Sequence, residues 1–184
     1  MNNFSTILRM PSLPQLLNER ATLIKNLVAN LQSQDISSEQ NRELAKKKIK
    51  DRVLVEKVLF EEPEHKGHTY ERRTLNMSQQ VLGQSADQYT HTVSFGFSGD
   101  SALFNYAPDG MPFNVSGNPI FQPSYGRKIE VSVTLNNREV ADAIQLAKNK
   151  LTETFDLIER NNRAIEPWNN TVSSSIDAAI DALK

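Results

Sequence analysis

The sequence predicts an α+β fold on three observations. Residues 89–97 and 128–135 alternate apolar and polar side chains without a break, helical periodicities flank them on both sides, and the stretch between them holds much of the chain's glycine and proline. In the first strand Tyr89, His91, Val93, Phe95 and Phe97 share one face against Thr90, Thr92, Ser94 and Gly96. In the second, Ile129, Val131, Val133 and Leu135 oppose Lys128, Glu130, Ser132 and Thr134. The expected architecture is an N-terminal helical hairpin (1–60), a small antiparallel β-sheet with a long aromatic loop (61–136) and a C-terminal helical pair (137–184), together one folded unit.

Ser12 caps a helix running to about Gln32, with Pro14 in its first turn and Leu16, Leu17, Leu23, Ile24, Leu27, Val28 and Leu31 as its apolar stripe. Ser37 and Gln40, at capping-box spacing, open a second helix reaching Leu59, with Ile49, Val53, Leu54, Val58 and Leu59 on its dry side. A short polar link makes the two an antiparallel hairpin. Pro63 and Gly67 mark residues 61–68 as a turn-rich connector, followed by a strand at 69–75 and a polar stretch to Asp87. Residues 98–127 combine Gly99, Pro108, Gly110, Pro112, Gly117, Pro119, Pro123 and Gly126 with Phe104, Tyr106, Phe113, Phe121 and Tyr125, which reads as an ordered loop packed on the sheet. Asn136, with Glu139 at the reciprocal position, caps a third helix seamed by Val140, Ile144, Ala147, Leu151, Phe155 and Ile158. Pro167 then starts a new helix or kinks the old one. Trp168, Val172, Ile176, Ala179, Ile180 and Leu183 carry the stripe onward without a stop signal, so a frayed tail or further protein is expected beyond it.

Composition removes whole classes of function. Across 184 residues, 21 Lys and Arg face 22 Asp and Glu for a formal charge of −1, leaving no overall field to hold a phosphate backbone or an anionic bilayer. The chain has no cysteine, which rules out disulfides, thiolate catalysis and cysteine-based zinc sites and fits a reducing cytoplasm. No stretch approaches the roughly 20 apolar residues of a membrane span. A soluble cytoplasmic protein without a membrane partner is expected.

Candidate chemistry is sparse. His65 and His68 lie three apart in the connector and His91 sits on the apolar face of a strand, with no Asp or Glu at a metalloprotease or zinc spacing. Exposed loop histidines and a hydrogen-bonded core His91 are expected, with no metal and no cofactor. Ser98, Gly99, Asp100 and Ser101 form a turn, not a nucleophile elbow, and no Walker lysine follows Gly96 and Gly99. Lys46, Lys47, Lys48, Lys50 and Arg52 can meet phosphates, but Glu39, Glu43, Asp51 and Glu56 dilute them, so a solvated helix face outweighs weak nucleic-acid contact. A small sheet shields about two helices, and the stripes of four helices exceed that cover. Leu16, Leu23, Leu27, Leu151, Phe155, Trp168 and Ile176 are therefore expected at an interface, and the protein is expected to be a homo-oligomer.

The run from Phe97 through Ser98, Gly99, Asp100, Ser101, Ala102 and Leu103 to Phe104 is followed by Pro108, by the prolines and aromatics before Ile129, and by the Trp168-Asn169 helix. This order resembles the N-terminal region of bacterial restriction-endonuclease-like proteins of the PD-(D/E)xK type, some of them associated with defence against phage. The resemblance spans residues 45–184 and lacks the acidic-then-lysine nuclease motif; the chain also carries an extra helix at its start. It implies a non-catalytic module that orients subunits, or gates access of DNA, for a nuclease domain or partner, and no catalytic residue carries over. The alternative is a standalone phage or bacterial assembly protein, with a small enzyme using the 98–125 loop ranked last.

Overall fold

The computed structural model describes residues 10–82, 86–108 and 120–183. Expectations for Gly110, Pro112, Phe113, Gly117 and Pro119 lie outside them. The fold is α+β. Helix α1 (Leu13–Ala29), a 3-10 turn at 33–36 and helix α2 (Glu39–Val53) precede strands β1 (Leu59–Phe60) and β2 (Glu64–Arg72). The short helix α3 (Met77–Val81), strand β3 (Asp87–Ser98), a 3-10 turn at 101–105, strand β4 (Lys128–Leu135), helix α4 (Val140–Lys150) and helix α5 (Thr152–Asp181) follow.

Strand β3 is the centre of the sheet. It pairs antiparallel with β4 on one edge (Tyr89 opposite Leu135, Gly96 opposite Lys128) and with β2 on the other (Glu64 opposite Ser94, Arg72 opposite Asp87). The two-residue β1 continues the β2 edge at Leu59–Ser98 and Phe60–Phe97. The alternation read from the sequence is the alternation observed: Tyr89, His91, Val93, Phe95, Phe97, Ile129, Val131 and Val133 are all buried on one face.

Helix α1 starts at Leu13, where the Gln15 side chain accepts from the Ser12 amide at 2.8 Å. The Leu13 amide donates to the Ala107 carbonyl at 2.7 Å, tying the helix start to the loop after β3. Helix α2 is capped by Ser38, one residue later than expected, whose Oγ accepts from the Asn41 amide at 3.2 Å. It also ends at Val53 instead of Leu59. The reason is a competing set of partners for the backbone beyond it. Asn169 on α5 gives its Nδ2 to the Val55 carbonyl (2.8 Å) and takes the Val55 amide on Oδ1 (3.1 Å). Asn162 does the same for Val58, at 2.7 and 2.9 Å. Seven residues of helix rise about 10.5 Å and three extended residues span about 10 Å, so one strap fits the other. Gly99 (φ +94°) packs against that strap, where an added Cβ would lie 2.0 Å from the Lys57 carbonyl oxygen.

The C-terminal helices also differ from expectation. The break falls at Leu151, between α4 and α5, and α5 runs on through Pro167. Arg163, whose carbonyl loses its helical donor to Pro167, is exposed, as is Pro167 itself. The first half of α5 joins α1, α4 and the inner sheet face in one core around Val93, Phe95, Leu103, Phe104, Ile129 and Leu151. Its second half packs Val172, Ile176 and Ile180 against Ala45, Ile49 and Val53 of α2, with Ile24 and Leu27 of α1 alongside and Trp168 touching both cores.

Asn169→Ala strips both backbone partners from the buried Val55 and is expected to cost about 1–3 kcal/mol of unfolding free energy. Asn162→Ala should act alike, and Gly99→Ala should cost at least as much through its clash. Urea denaturation reads all three; losses under about 0.5 kcal/mol at both asparagines, the range of an ordinary surface change, would contradict the strap.

Candidate metal centre

In a regular strand, residues three apart point to opposite faces. His65 and His68 do not, because β2 carries a bulge. His65 pairs with Val93, Gly67 with Thr92 and His68 with His91, so three steps on β2 span two on β3 and Lys66 is the extra residue. Gly67 takes φ +128° there, a conformation side chains disfavour, with nothing within 4 Å of its Cβ position. The bulge returns His68 to the face of His65, and His91 lies directly opposite on β3. The two histidines expected in an exposed connector therefore stand in a strand, over the inner face of the sheet.

One ligand nitrogen from each of the three rings lies within 4.8 Å of the others. The His65 Nε2 to His91 Nδ1 distance is 3.0 Å, and His91 Nε2 lies 3.2 Å from the Asn137 carbonyl oxygen. A carbonyl only accepts, so His91 carries its proton on Nε2, and in the neutral ring Nδ1 presents a bare lone pair. His65 then donates Nε2–H to it. The Asn137 carbonyl is itself fixed: the Asn137 side chain donates to Asp142 at 3.1 Å and accepts from the Glu139 amide at 3.0 Å. That arrangement, rather than the expected Asn136 cap, sets the approach to α4. A ring N–H given to a backbone carbonyl is the support that orients a metal-ligating imidazole.

Burial, and then the neighbouring His91 and His68, hold His65 below the usual histidine range, which favours the neutral ring that binds a metal. His91 is fully buried, His65 partly so and His68 exposed. Two nitrogens on one tetrahedral zinc lie about 3.3 Å apart, given Zn–N bonds of about 2.0–2.1 Å. The His65–His91 separation of 3.0 Å is slightly under that spacing and is bridged by a proton, which would move to His65 Nδ1 when the two nitrogens share an ion. Tyr89 sets its ring edge-on to His68 with centroids 5.6 Å apart, and the Arg138 guanidinium covers Tyr89 at 5.2 Å. Tyr70 lies tilted against Tyr89, with centroids 5.1 Å apart, and donates its hydroxyl to Asp87 at 2.7 Å.

The other sequence-derived residues are dispersed. Lys46 bridges Glu43 and Asp181, at 2.7 and 2.8 Å, and these bonds, Asp181 first, raise its pKa. Lys50 pairs with Asp177 at 2.7 Å. Lys47, Lys48 and Arg52 are exposed, so the five cations split between a helix–helix contact and solvent. Of the seven apolar residues, Leu16, Leu151 and Ile176 are buried within this chain, while Phe155 and Trp168 pack against its cores. The helices cover one another through α5, a layer that the count of strands against stripes left out. Leu27 is partly exposed and Leu23 is 44% exposed. Asp100 of the Ser98–Ser101 turn caps the following 3-10 turn and pairs with Arg20 at 3.1 Å, which accounts for it structurally.

What sequence reading missed is the convergence of the histidines, whose available signal was a glycine set between two of them. No helix among the described residues is long and apolar enough to cross a membrane. Comparison with protein-family models, with curated proteins and with solved structures finds no match, so the functional reading rests on the geometry of this site.

Proposed function

We propose that this chain is a transition-metal-binding protein with His65, His68 and His91 as its ligands. The observation that carries the reading is that the chain's three histidines meet on one sheet face through a bulge, one of them already oriented by a backbone carbonyl. Imidazole donors suit zinc, copper, nickel and iron, whereas calcium and magnesium take oxygen ligands. Zinc is the first probe, because it takes imidazole nitrogen in a tetrahedral set that three histidines can begin. A bound ion would also clamp the exposed edge strand β2 to β3 and so add its binding energy to the stability of the hairpin.

Dialysis against zinc followed by elemental analysis is expected to give one ion per chain. His68→Ala, at an exposed position, should weaken binding by more than the roughly 10- to 100-fold that loss of a mere supporting group costs. Unaltered protein that retains no zinc, or a His68→Ala variant that binds as well, would contradict the reading.

A second reading makes the chain a non-catalytic assembly module of a nuclease-type defence protein, or a standalone scaffold. It is favoured by an open groove of about 520 Å³ between α1 and α2, lined by Leu27, Leu31, Leu44 and Ile49 and edged by Lys48 and Arg52. Leu23 and Leu44 stand exposed on the same pair of helices. The nuclease partner rests on the resemblance around Phe97–Phe104. Light scattering behind size exclusion should show a defined homo-oligomer that Leu23→Glu with Leu44→Glu dissociates; an unaltered monomer at micromolar concentration would contradict this reading.

A further inference from the structure

The three histidines leave a metal short of ligands. First-row ions take four to six donors, and the chain has no cysteine. Among the described residues the cluster includes no Asp or Glu beside the three rings. The missing donors must then come from outside the set.

Exposure says from which side. His91 is enclosed, with the Asn137 carbonyl behind its far nitrogen, and Val93 and Val133, its neighbours along the strand and across it, are buried. That flank admits nothing. His68 is exposed and His65 partly so, which turns the unfilled positions toward solvent along β2. The Arg138 guanidinium, exposed above Tyr89 and next in line from His68, adds positive charge on this side. The Asp87 carboxylate on the same hairpin accepts from the Tyr70 hydroxyl and is not one of the cluster's ligand groups. A divalent ion with three neutral imidazoles keeps its full double charge, which selects an anion over a neutral donor.

We infer that a metal held by His65, His68 and His91 keeps a coordination position open on the His68 side, and that this position takes a small oxyanion of the carboxylate or phosphate class. The inference rests on the metal-binding reading and goes beyond it: a closed, purely structural site would bind the ion equally well and refuse the anion. Water fills the position when no anion is present, and exchange between them requires no rearrangement of the core.

Cobalt(II) tests both layers at once, since its visible bands report ligand number and identity. The protein loaded with one equivalent of cobalt is titrated with azide, acetate and inorganic phosphate. A saturable change of the bands with azide and with at least one oxyanion is expected. A cobalt spectrum that forms and then ignores all three anions overturns the open position while leaving metal binding intact; failure of any cobalt spectrum to form overturns both. A second measurement uses His68→Gly, an exposed change outside the core. Millimolar imidazole should restore its lost cobalt spectrum by entering from solvent, and no restoration in a folded variant would overturn the solvent-facing geometry.

Discussion

Everything in this fold depends on β3 having two partners along its length. With β4 on one edge and β2 on the other, its inner face is fixed in register, and a single alternating run does two jobs. From Val93 to Phe97 that face is the floor of the main core, where Phe95 and Phe97 meet Phe155, Phe104 and Phe60 at edge-on angles or tilted. From Tyr89 to His91 the same face lines up with the Tyr70 phenol and the His68 imidazole on β2. The packed core and the histidine cluster are thus one alternation step apart on one strand, Val93 to His91. Slipping the β2 register by one residue would send His65, His68 and Tyr70 to the other face.

Helix α5 is the second organising element, and it works through amides as well as hydrophobic contact. Asn161 gives its Nδ2 to the carbonyls of Leu103 and Tyr106, both at 2.8 Å, and Asn162 and Asn169 hold the strap before β1. Thr154 accepts the Phe121 amide at 3.0 Å and anchors the far end of the loop that returns to β4. Irregular backbone passing through the interior needs partners, and one helix supplies them to three separate segments.

The legible parts of this protein were those with a clean period. Tyr89–Phe97 and Lys128–Leu135 each have one wet and one dry face, and a period of two marks such strands in any sequence. The apolar stripes of α1 and of the C-terminal helices are equally plain, although the break between the latter falls at Leu151 and not at Pro167. The errors fell where a distant group overrides a local pattern. Nothing near Val55 shows that Asn169, more than a hundred residues away, will take its backbone and stop α2. The strand expected at 69–75 lies instead at Glu64–Arg72, because most of its residues are exposed and the bulge at Lys66 shifts the phase of any alternation. The histidine site combines both difficulties: its spacing looks wrong for a strand until the bulge is known, and its third member and carbonyl support come from elsewhere in the chain.

The central claim is that three imidazoles share one ion, and X-ray absorption at the zinc edge addresses it directly. The zinc-loaded protein should give nitrogen scatterers at about 2.0–2.1 Å with the outer-shell pattern of three imidazole rings. A shell of oxygen alone, or the signature of a single ring, would contradict it.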